Sequence, residues 1–326
     1  MGGTELYKLK ILALCGAMLA AGLAPTLAQD NYPSRTIRLV AGFPPGGGLD
    51  TIGRLFADKL SVILGQQVVV LNQAGAAGGI AGKRVSTEDP DGYTVLLASN
   101  SMVIYSLMHS KAGLLVERDL YPVVSVAPQA VIITTTPTTK ANTLKELMEL
   151  SKTNRLNYGT PGAGSVPHLV IEQLISAVPG VQMQHVPFQG AAPALTATMS
   201  NQIDFASTTL PPAVSLVTGD KVKGIAVTTP ARVAALPNIP TTKESGFPDN
   251  VVTVWNGFFV PPKTPKAIVD KLEAAILQVA AMPDIKEKLV NIGYEPTAEP
   301  GAKFREELSA EIKRWSAVLE RIDLLK

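Results

Sequence analysis

The sequence predicts an α/β fold of two lobes, the first of them discontinuous, and three observations carry the prediction. Apolar, β-branched runs alternate with amphipathic stretches, the pattern of a doubly wound sheet. Two strand, small-residue loop and helix units sit in different halves of the chain, at 37–64 and 156–177. Two further stretches, Val131 to Pro137 and Val252 to Pro262, read as crossings between lobes. The chain would leave lobe one near residue 135, build lobe two, and return near residue 255.

In order, the strands expected are Ile37 to Gly42, Gln67 to Leu71, Thr94 to Ala98, Val123 to Val126, Val131 to Thr135, Asn157 to Gly159, Gln184 to Val186, Ile203 to Ser207, Lys223 to Thr228 and Val252 to Val260. Each is short, apolar or β-branched, and bounded by turn residues. Between them the 3.6-residue period predicts helices over Thr51 to Leu64, Gly79 to Ser86, Leu144 to Thr153, Val166 to Ala177, Pro193 to Met199 and Pro211 to Val217. Pro265 to Ala281, Asp284 to Ile292 and Gly301 to Ile322 complete the chain as three helices without a strand, packing back on lobe one. Lobe one is then 29–134 with 255–326, and lobe two is 135–254. Two hinge crossings in a discontinuous lobe are the layout of a periplasmic binding protein, the Venus-flytrap form, which closes by hinge motion.

At the start, Lys8 and Lys10 precede the apolar run Ile11 to Ala24, and Thr26-Leu27-Ala28 supplies small residues for cleavage, so residues 1–28 read as a removable export signal. The run is too short for a membrane anchor, which needs roughly 20 residues. Cys15, the only cysteine, would leave with it, which excludes disulfides and thiol catalysis in the mature chain. The full chain carries 29 basic and 27 acidic side chains, and losing Lys8, Lys10 and Glu5 keeps the two signs near balance, so no nucleic-acid footprint follows. The expected location is the periplasm.

The most informative run is Gly42-Phe43-Pro44-Pro45-Gly46-Gly47-Gly48, between a strand and a helix. It leaves backbone N–H groups unobstructed at a helix N-terminus, a cradle for a carboxylate or phosphate. Asp50 reads as the helix cap and Arg54 as its exposed partner one turn on. Thr160-Pro161-Gly162-Ala163-Gly164-Ser165 repeats the arrangement, with Pro167 suited to the first turn and His168 in an orienting role. Ser99, Asn100 and Ser101 end a strand at the edge where open α/β sheets bind ligands. Phe188, Gly190 and Ala191 form another loop and helix start that could close over a guest. No nucleophile elbow, zinc motif, dinucleotide fingerprint or Walker loop is present in the sequence, and no carboxylate pair stands out. Neutral donors of this kind suit reversible capture of a small anion, with no cofactor and no metal. A hydrolase using Ser165 with His168 is the rival chemistry, and a sensory receptor for the same ligand is the rival biology.

Several motifs together resemble the tripartite tricarboxylate transporter substrate-binding receptors, the Bug family. They are Phe43-Pro44-Pro45-Gly46-Gly47 with Asp50 and Arg54, Asn72 with the glycines to Gly82, Pro90-Asp91-Gly92-Tyr93-Thr94, Gly164-Ser165 with His168-Leu169, and Leu236-Pro237-Asn238-Ile239-Pro240-Thr241 with Glu244 and Gly246. Pro261, Thr264-Pro265, Lys271-Leu272 and Trp315 fit as well, so the resemblance runs through the whole mature chain. It implies a monomeric receptor that delivers a small-molecule carboxylate to a two-component membrane permease. It also implies that Phe43, Pro44, Gly46 and Gly47 hold the carboxylate from lobe one, while Ser165, His168, Gly190, Ala191 and Asp204 face it from lobe two. Phe188-Gln189-Gly190 stands where the family often has Tyr-Lys-Gly, and Asn201-Gln202 where it often has Gly-Gly; losing a lysine and a tyrosine hydroxyl near the cleft points to a less polar ligand end.

Overall fold

A computed structural model describes residues 32–109 and 113–321 of the chain. The expected export signal, with Cys15, lies outside the described residues. The chain divides into a short unit, Met1–Ser34, and a large one, Arg35–Lys326, and every element of secondary structure below belongs to the large unit.

Its first part is β1 (Ile37–Ala41), α1 (Gly48–Leu64), β2 (Val68–Asn72), α2 (Gly79–Val85), β3 (Thr94–Ser99), α3 (Asn100–Met108) and the short α4 (Val116–Asp119). The long β4 (Tyr121–Thr135) follows. Then come α5 (Leu144–Thr153), β5 (Leu156–Thr160), α6 (Val166–Ala177), β6 (Met183–Pro187), α7 (Ala191–Met199), β7 (Phe205–Thr209), α8 (Pro211–Thr218) and β8 (Lys223–Val227). β9 (Thr253–Val260), α9 (Lys266–Ala281), α10 (Pro283–Asn291), β10 (Ala298–Pro300) and α11 (Gly301–Arg321) complete the chain.

The strands form one curled sheet in the order β2-β1-β3-β9-β4-β7-β5-β6, with β8 and β10 also pairing β4. β1 runs parallel to β2 and β3, and β5 parallel to β6 and β7, as crossover helices require. β9 lies antiparallel to β3 on one side and β4 on the other.

β4 is one strand where the sequence predicts two. Its first part pairs with β9 and β10, while Val131 to Thr135 pairs with β7 and β8. Ala127-Pro128 breaks the apolar run in the sequence, but the backbone absorbs the break as an irregularity between Val126 and Gln129, with Ala127 at φ +47°. β9 keeps pairing beyond it, at Gln129 and Ala130.

Three elements are unforeseen by the sequence pattern: α3, α4 and β10. α3 buries Asn100 to Ile104 on every side, so it lacks the polar face that marks an amphipathic helix. α1 starts at Gly48, three residues before the expected Thr51.

The last helix also departs from expectation, since α11 packs on both halves of the sheet. Phe304 and Leu308 join a core with Val40, Leu96, Val103 and Phe259, whereas Trp315 and Leu319 join another with Ile133, Leu147, Tyr158 and Phe205. On the same face of α11, Glu311 accepts from Asn100 Nδ2 at 2.8 Å, from Trp315 Nε1 at 2.9 Å and from Trp255 Nε1. One carboxylate thus ties β9 and the start of α3 to the C-terminal helix.

Trp315 is fully buried in the second of these cores. Trp315→Ala is expected to lower unfolding free energy by about 3–5 kcal/mol, measured by urea denaturation of the two proteins.

Candidate functional site

The loop from Gly42 to Gly47 leaves β1 at its carboxyl end and turns into α1. Gly46 holds φ +79°, and its N–H donates to Asp50 Oδ2 at 3.0 Å. Asp50 is therefore not the cap the sequence predicts. Gly47 occupies the cap position with extended backbone and no capping side chain, and Asp50 sits in the first turn, reaching back. Asn72 Nδ2 donates both to Asp50 Oδ1 at 2.9 Å and to Phe43 O at 3.0 Å, and Arg54 Nε donates to Asp50 Oδ2 at 3.1 Å. Burial works against ionisation of Asp50, but the hydrogen bonds from Arg54, the Gly46 N–H and Asn72 outweigh it and hold its carboxyl below the usual range. Its charge is spent on the loop, and the expected pair with Arg54 forms.

The amides that follow are left over. Gly48, Leu49 and Asp50 are buried, no side chain caps the helix, and none of the described residues accepts from their N–H groups. Gly48 has no room for a side chain, because a Cβ there would lie 2.6 Å from Tyr294 Oη and 3.3 Å from Gln129 Oε1. Both oxygens are buried and lack a partner among the described residues, with Gln129 and Tyr294 each 3% exposed. Burial pushes the Tyr294 hydroxyl well above its ordinary value, which keeps it a neutral donor.

Across the cleft, α7 also starts without a side-chain cap, behind Gly190 at φ +131°. A Cβ on Gly190 would lie 2.8 Å from the Pro44 ring, so the two loops touch. Between them lies an inner cavity of about 40 Å³, room for about three water-sized groups, which is the size of a carboxylate. Its walls are Phe43, Pro44 and Gly47 to Leu49 from one loop, Gly190 and Ala191 from the other, Ser99 and Ser101 from the start of α3, and Pro161, Ser165 and Pro167 near α6. Gln129, Thr209, Val254 and Asn256 form the floor. No charged side chain lines it among the described residues. An anion here would be met by peptide dipoles and neutral donors alone.

The family model for the tripartite tricarboxylate transporter family receptor, TctC, matches residues 52–324. The chain belongs to that family. It resembles the periplasmic binding protein BugD at 29% identity and a TM-score of 0.86, covering 90% of this chain and 100% of that one. An R. palustris protein solved with adipate is 28% identical, with a TM-score of 0.85 over 90% of this chain and 98% of that one. MatC from Rhodopseudomonas palustris, with bound malate, is 29% identical, with a TM-score of 0.82 over 88% and 100% of the two chains. The fold is accordingly that of the periplasmic binding proteins of the TctC and Bug type.

Of the residues the sequence nominates in this TctC-family chain, Phe43, Pro44, Gly47, Ser99, Ser165, Gly190 and Ala191 line the inner cavity. The others lie elsewhere. The Gly46 amide is taken by Asp50. Asn100 faces away, donating to Thr253 O and Glu311. Phe188 lines an adjoining outer groove. Asp204 accepts from the Asn157 amide at 2.7 Å and lines a different surface groove with Lys140 and Arg155. Gly48 and Ser101, from the glycine run and the Ser99-Asn100-Ser101 edge that the sequence points to, line the inner cavity too, whereas Gln129, Thr209, Asn256 and the neighbouring Tyr294 went unforeseen, since neutral polar residues in strands and loops carry no local signal.

The loop before α6 is not the open cradle the sequence predicts, because the protein fills it. The Gly164 amide donates to His168 Nδ1 at 3.2 Å, the Val166 amide to Ser101 Oγ at 3.1 Å, and the His168 amide to Ser165 Oγ. Ser165 Oγ itself donates to Gly162 O at 2.7 Å rather than to the His168 ring, so the serine and histidine do not form a nucleophile and base. The start of α7 stands opposite α1 instead.

Behind this loop lies a buried cluster. His168 stacks on His185 with centroids 4.0 Å apart, Tyr158 stacks on His185, and the Tyr158 hydroxyl donates to Glu172. Thr160 Oγ1 lies 2.7 Å from His185 Nε2. His168 Nε2 is 3.4 Å from Glu172 Oε1, so with Nδ1 accepting from Gly164 the ring is held as the Nε2–H tautomer. Burial opposes the charge on Glu172, but the hydrogen bonds from His168 and Tyr158 keep its carboxyl below the ordinary value. Burial pushes the His185 imidazole down to about 4, His168 adds to the shift, and Glu172 opposes it.

An unfolded histidine takes up its proton near pH 6.5, whereas folded His185 refuses it until about 4. The unfolded state binds the extra proton in that window, so stability should fall as pH drops through it. Urea unfolding midpoints are expected to decrease from about pH 6.5 towards 4, and His185→Gln to flatten that slope.

Proposed function

We propose that this TctC-family chain is a periplasmic receptor that captures a small organic carboxylate in the inner cavity and hands it to a two-component membrane permease. One observation carries the reading: the starts of α1 and α7 meet across the cleft with their amides uncapped, at walls that hold no charged side chain among the described residues. A carboxylate accepts from several such amides at once, and because the donors are fixed in backbone they lose little freedom on capture. The adipate and malate bound to two family structures support the same ligand chemistry.

In this reading 29–134 with 255–326 forms one lobe and 135–254 the other. β4 and β9 are the hinge crossings, and the contact of Pro44 with Gly190 belongs to the closed form. The export signal 1–28 is removed, the receptor acts as a monomer, and neither cofactor nor metal takes part.

The test is titration calorimetry of the purified mature chain with mono-, di- and tricarboxylates and with neutral sugars. An acid should bind and the sugars should not; binding of sugars alone would overturn the proposal. Gly48→Ala forces Tyr294 and Gln129 off the end of α1. Losing one charge-assisted hydrogen bond, about 1.5–3 kcal/mol, should weaken the acid at least tenfold. A circular dichroism melt of the same variant checks that the fold persists.

A further inference from the structure

The surface of the inner cavity is mostly apolar, with Phe43, Pro44, Leu49, Pro161 and Val254 among its walls, but one corner of it is not. Around Gly48 three oxygens converge. The point where a side chain on Gly48 would begin lies 2.6 Å from Tyr294 Oη, 3.3 Å from Gln129 Oε1 and 3.6 Å from Thr209 Oγ1. The first two are buried without a partner among the described residues, and Tyr294 and Gln129 are each 3% exposed. Leaving one buried oxygen unmet is costly, so two at one spot mark a place built for a polar group.

The side-chain amide of Gln129 is fixed in its orientation. Asn256 Nδ2 donates to Ala127 O at 2.7 Å, which leaves Asn256 Oδ1 to accept from Gln129 Nε2 at 3.3 Å. Oε1 is therefore the free end of Gln129, an acceptor in want of a donor, and the Tyr294 hydroxyl beside it is free to donate. A group lodged in this corner has to donate to the one and accept from the other. A hydroxyl does both. A carboxylate oxygen would face Gln129 Oε1 lone pair to lone pair, and a methylene would satisfy neither. An ammonium would donate to Gln129, but it would stand against the positive end of α1 and leave the Tyr294 proton unmet.

The corner adjoins the place of the carboxylate, because the Gly48 amide is among the unbonded donors at the start of α1. One residue thus offers its amide to the carboxylate and the space of its missing side chain to the second group, so the two groups of the ligand are close neighbours. We infer that the protein selects a 2-hydroxy carboxylate, with Gln129 and Tyr294 recognising the hydroxyl on the carbon next to the carboxylate. This rests on the carboxylate-receptor reading above and adds to it the group that the ligand carries beside its charge.

The test is calorimetry of the mature protein with three pairs of acids that differ by one hydroxyl: lactate and propionate, malate and succinate, mandelate and phenylacetate. Alanine and aspartate carry an ammonium in the same position. A hydroxy acid should bind at least about tenfold tighter than its partner, because a site built to hydrogen-bond a hydroxyl rejects the analogue that lacks it. Tyr294→Phe keeps the ring and removes one of the two oxygens, and it should shrink that ratio about threefold or more. Since the lost hydroxyl has no partner among the described residues, the urea midpoint of this variant should not fall, which separates a change in recognition from a loss of fold. Ratios below tenfold in every pair that binds mean that water fills the corner, and they overturn the inference. Tighter binding of the amino acids, or a ratio that Tyr294→Phe leaves unchanged, overturns it as well, and in each case the receptor reading stands. Failure of every acid to bind removes that reading and this inference with it.

Discussion

Peptide amides buried at the start of α1 without an acceptor are the constraint around which this fold is arranged. A buried N–H left unbonded costs about 1–3 kcal/mol, and most helices avoid the cost with a serine, threonine or aspartate at the cap. Here Gly47 holds the cap position, and the one carboxylate within reach, Asp50, is turned back to Gly46, Asn72 and Arg54. The loop is thereby rigid while the helix end stays open. Gly48 follows from the same requirement, since any side chain would fill the space in front of Tyr294 and Gln129. The contrast with α6 is instructive, because there Ser165, Ser101 and His168 between them take up the amides that α1 leaves open.

The halves of the sheet that bear these helix starts are joined by two strands and one helix. β4 runs through both halves and β9 pairs it as far as Ala130, so the connection starts as a paired ribbon rather than two loose linkers. α11 lies across them with one core under Phe304 and another under Trp315, and the Glu311 carboxylate between them is satisfied by three donors. One of those donors is Asn100, the residue between Ser99 and Ser101. The cavity wall and the joint between the halves therefore share a single hydrogen-bonded centre, and displacement of the C-terminal helix has a direct mechanical route to the site.

The parts legible in the sequence are those with local causes. A β-branched run ending in Phe43-Pro44-Pro45-Gly46-Gly47 before an amphipathic helix fixes β1, the loop and α1 from neighbours alone, and the alternation of such runs is enough for the α/β class. α3 escaped because its first turns are buried all round and Val103 and Ile104 within it favour strands. β4 was divided because Ala127-Pro128 looks like a break, and only its continued pairing with β9 shows otherwise. At the site, the loops before α1 and α6 look alike in sequence. What separates them is Ser101, which caps the second from 65 residues away, together with the orientation of the His168 ring. Gln129, Asn256 and Tyr294 come from three distant segments and meet only when β4, β9 and the turn after α10 assemble.

The neutrality of the cavity has a consequence for release. A buried lysine or arginine would attract an anion strongly, but it would need its own desolvation in the unliganded protein, and its removal from a paired ligand would be correspondingly costly. Peptide dipoles are fixed by the helices whether or not a guest is present, so they hold a charge without reorganising and without being stranded when it leaves. On the proposed reading, a carrier that has to surrender its cargo is better served by this arrangement than by an ion pair.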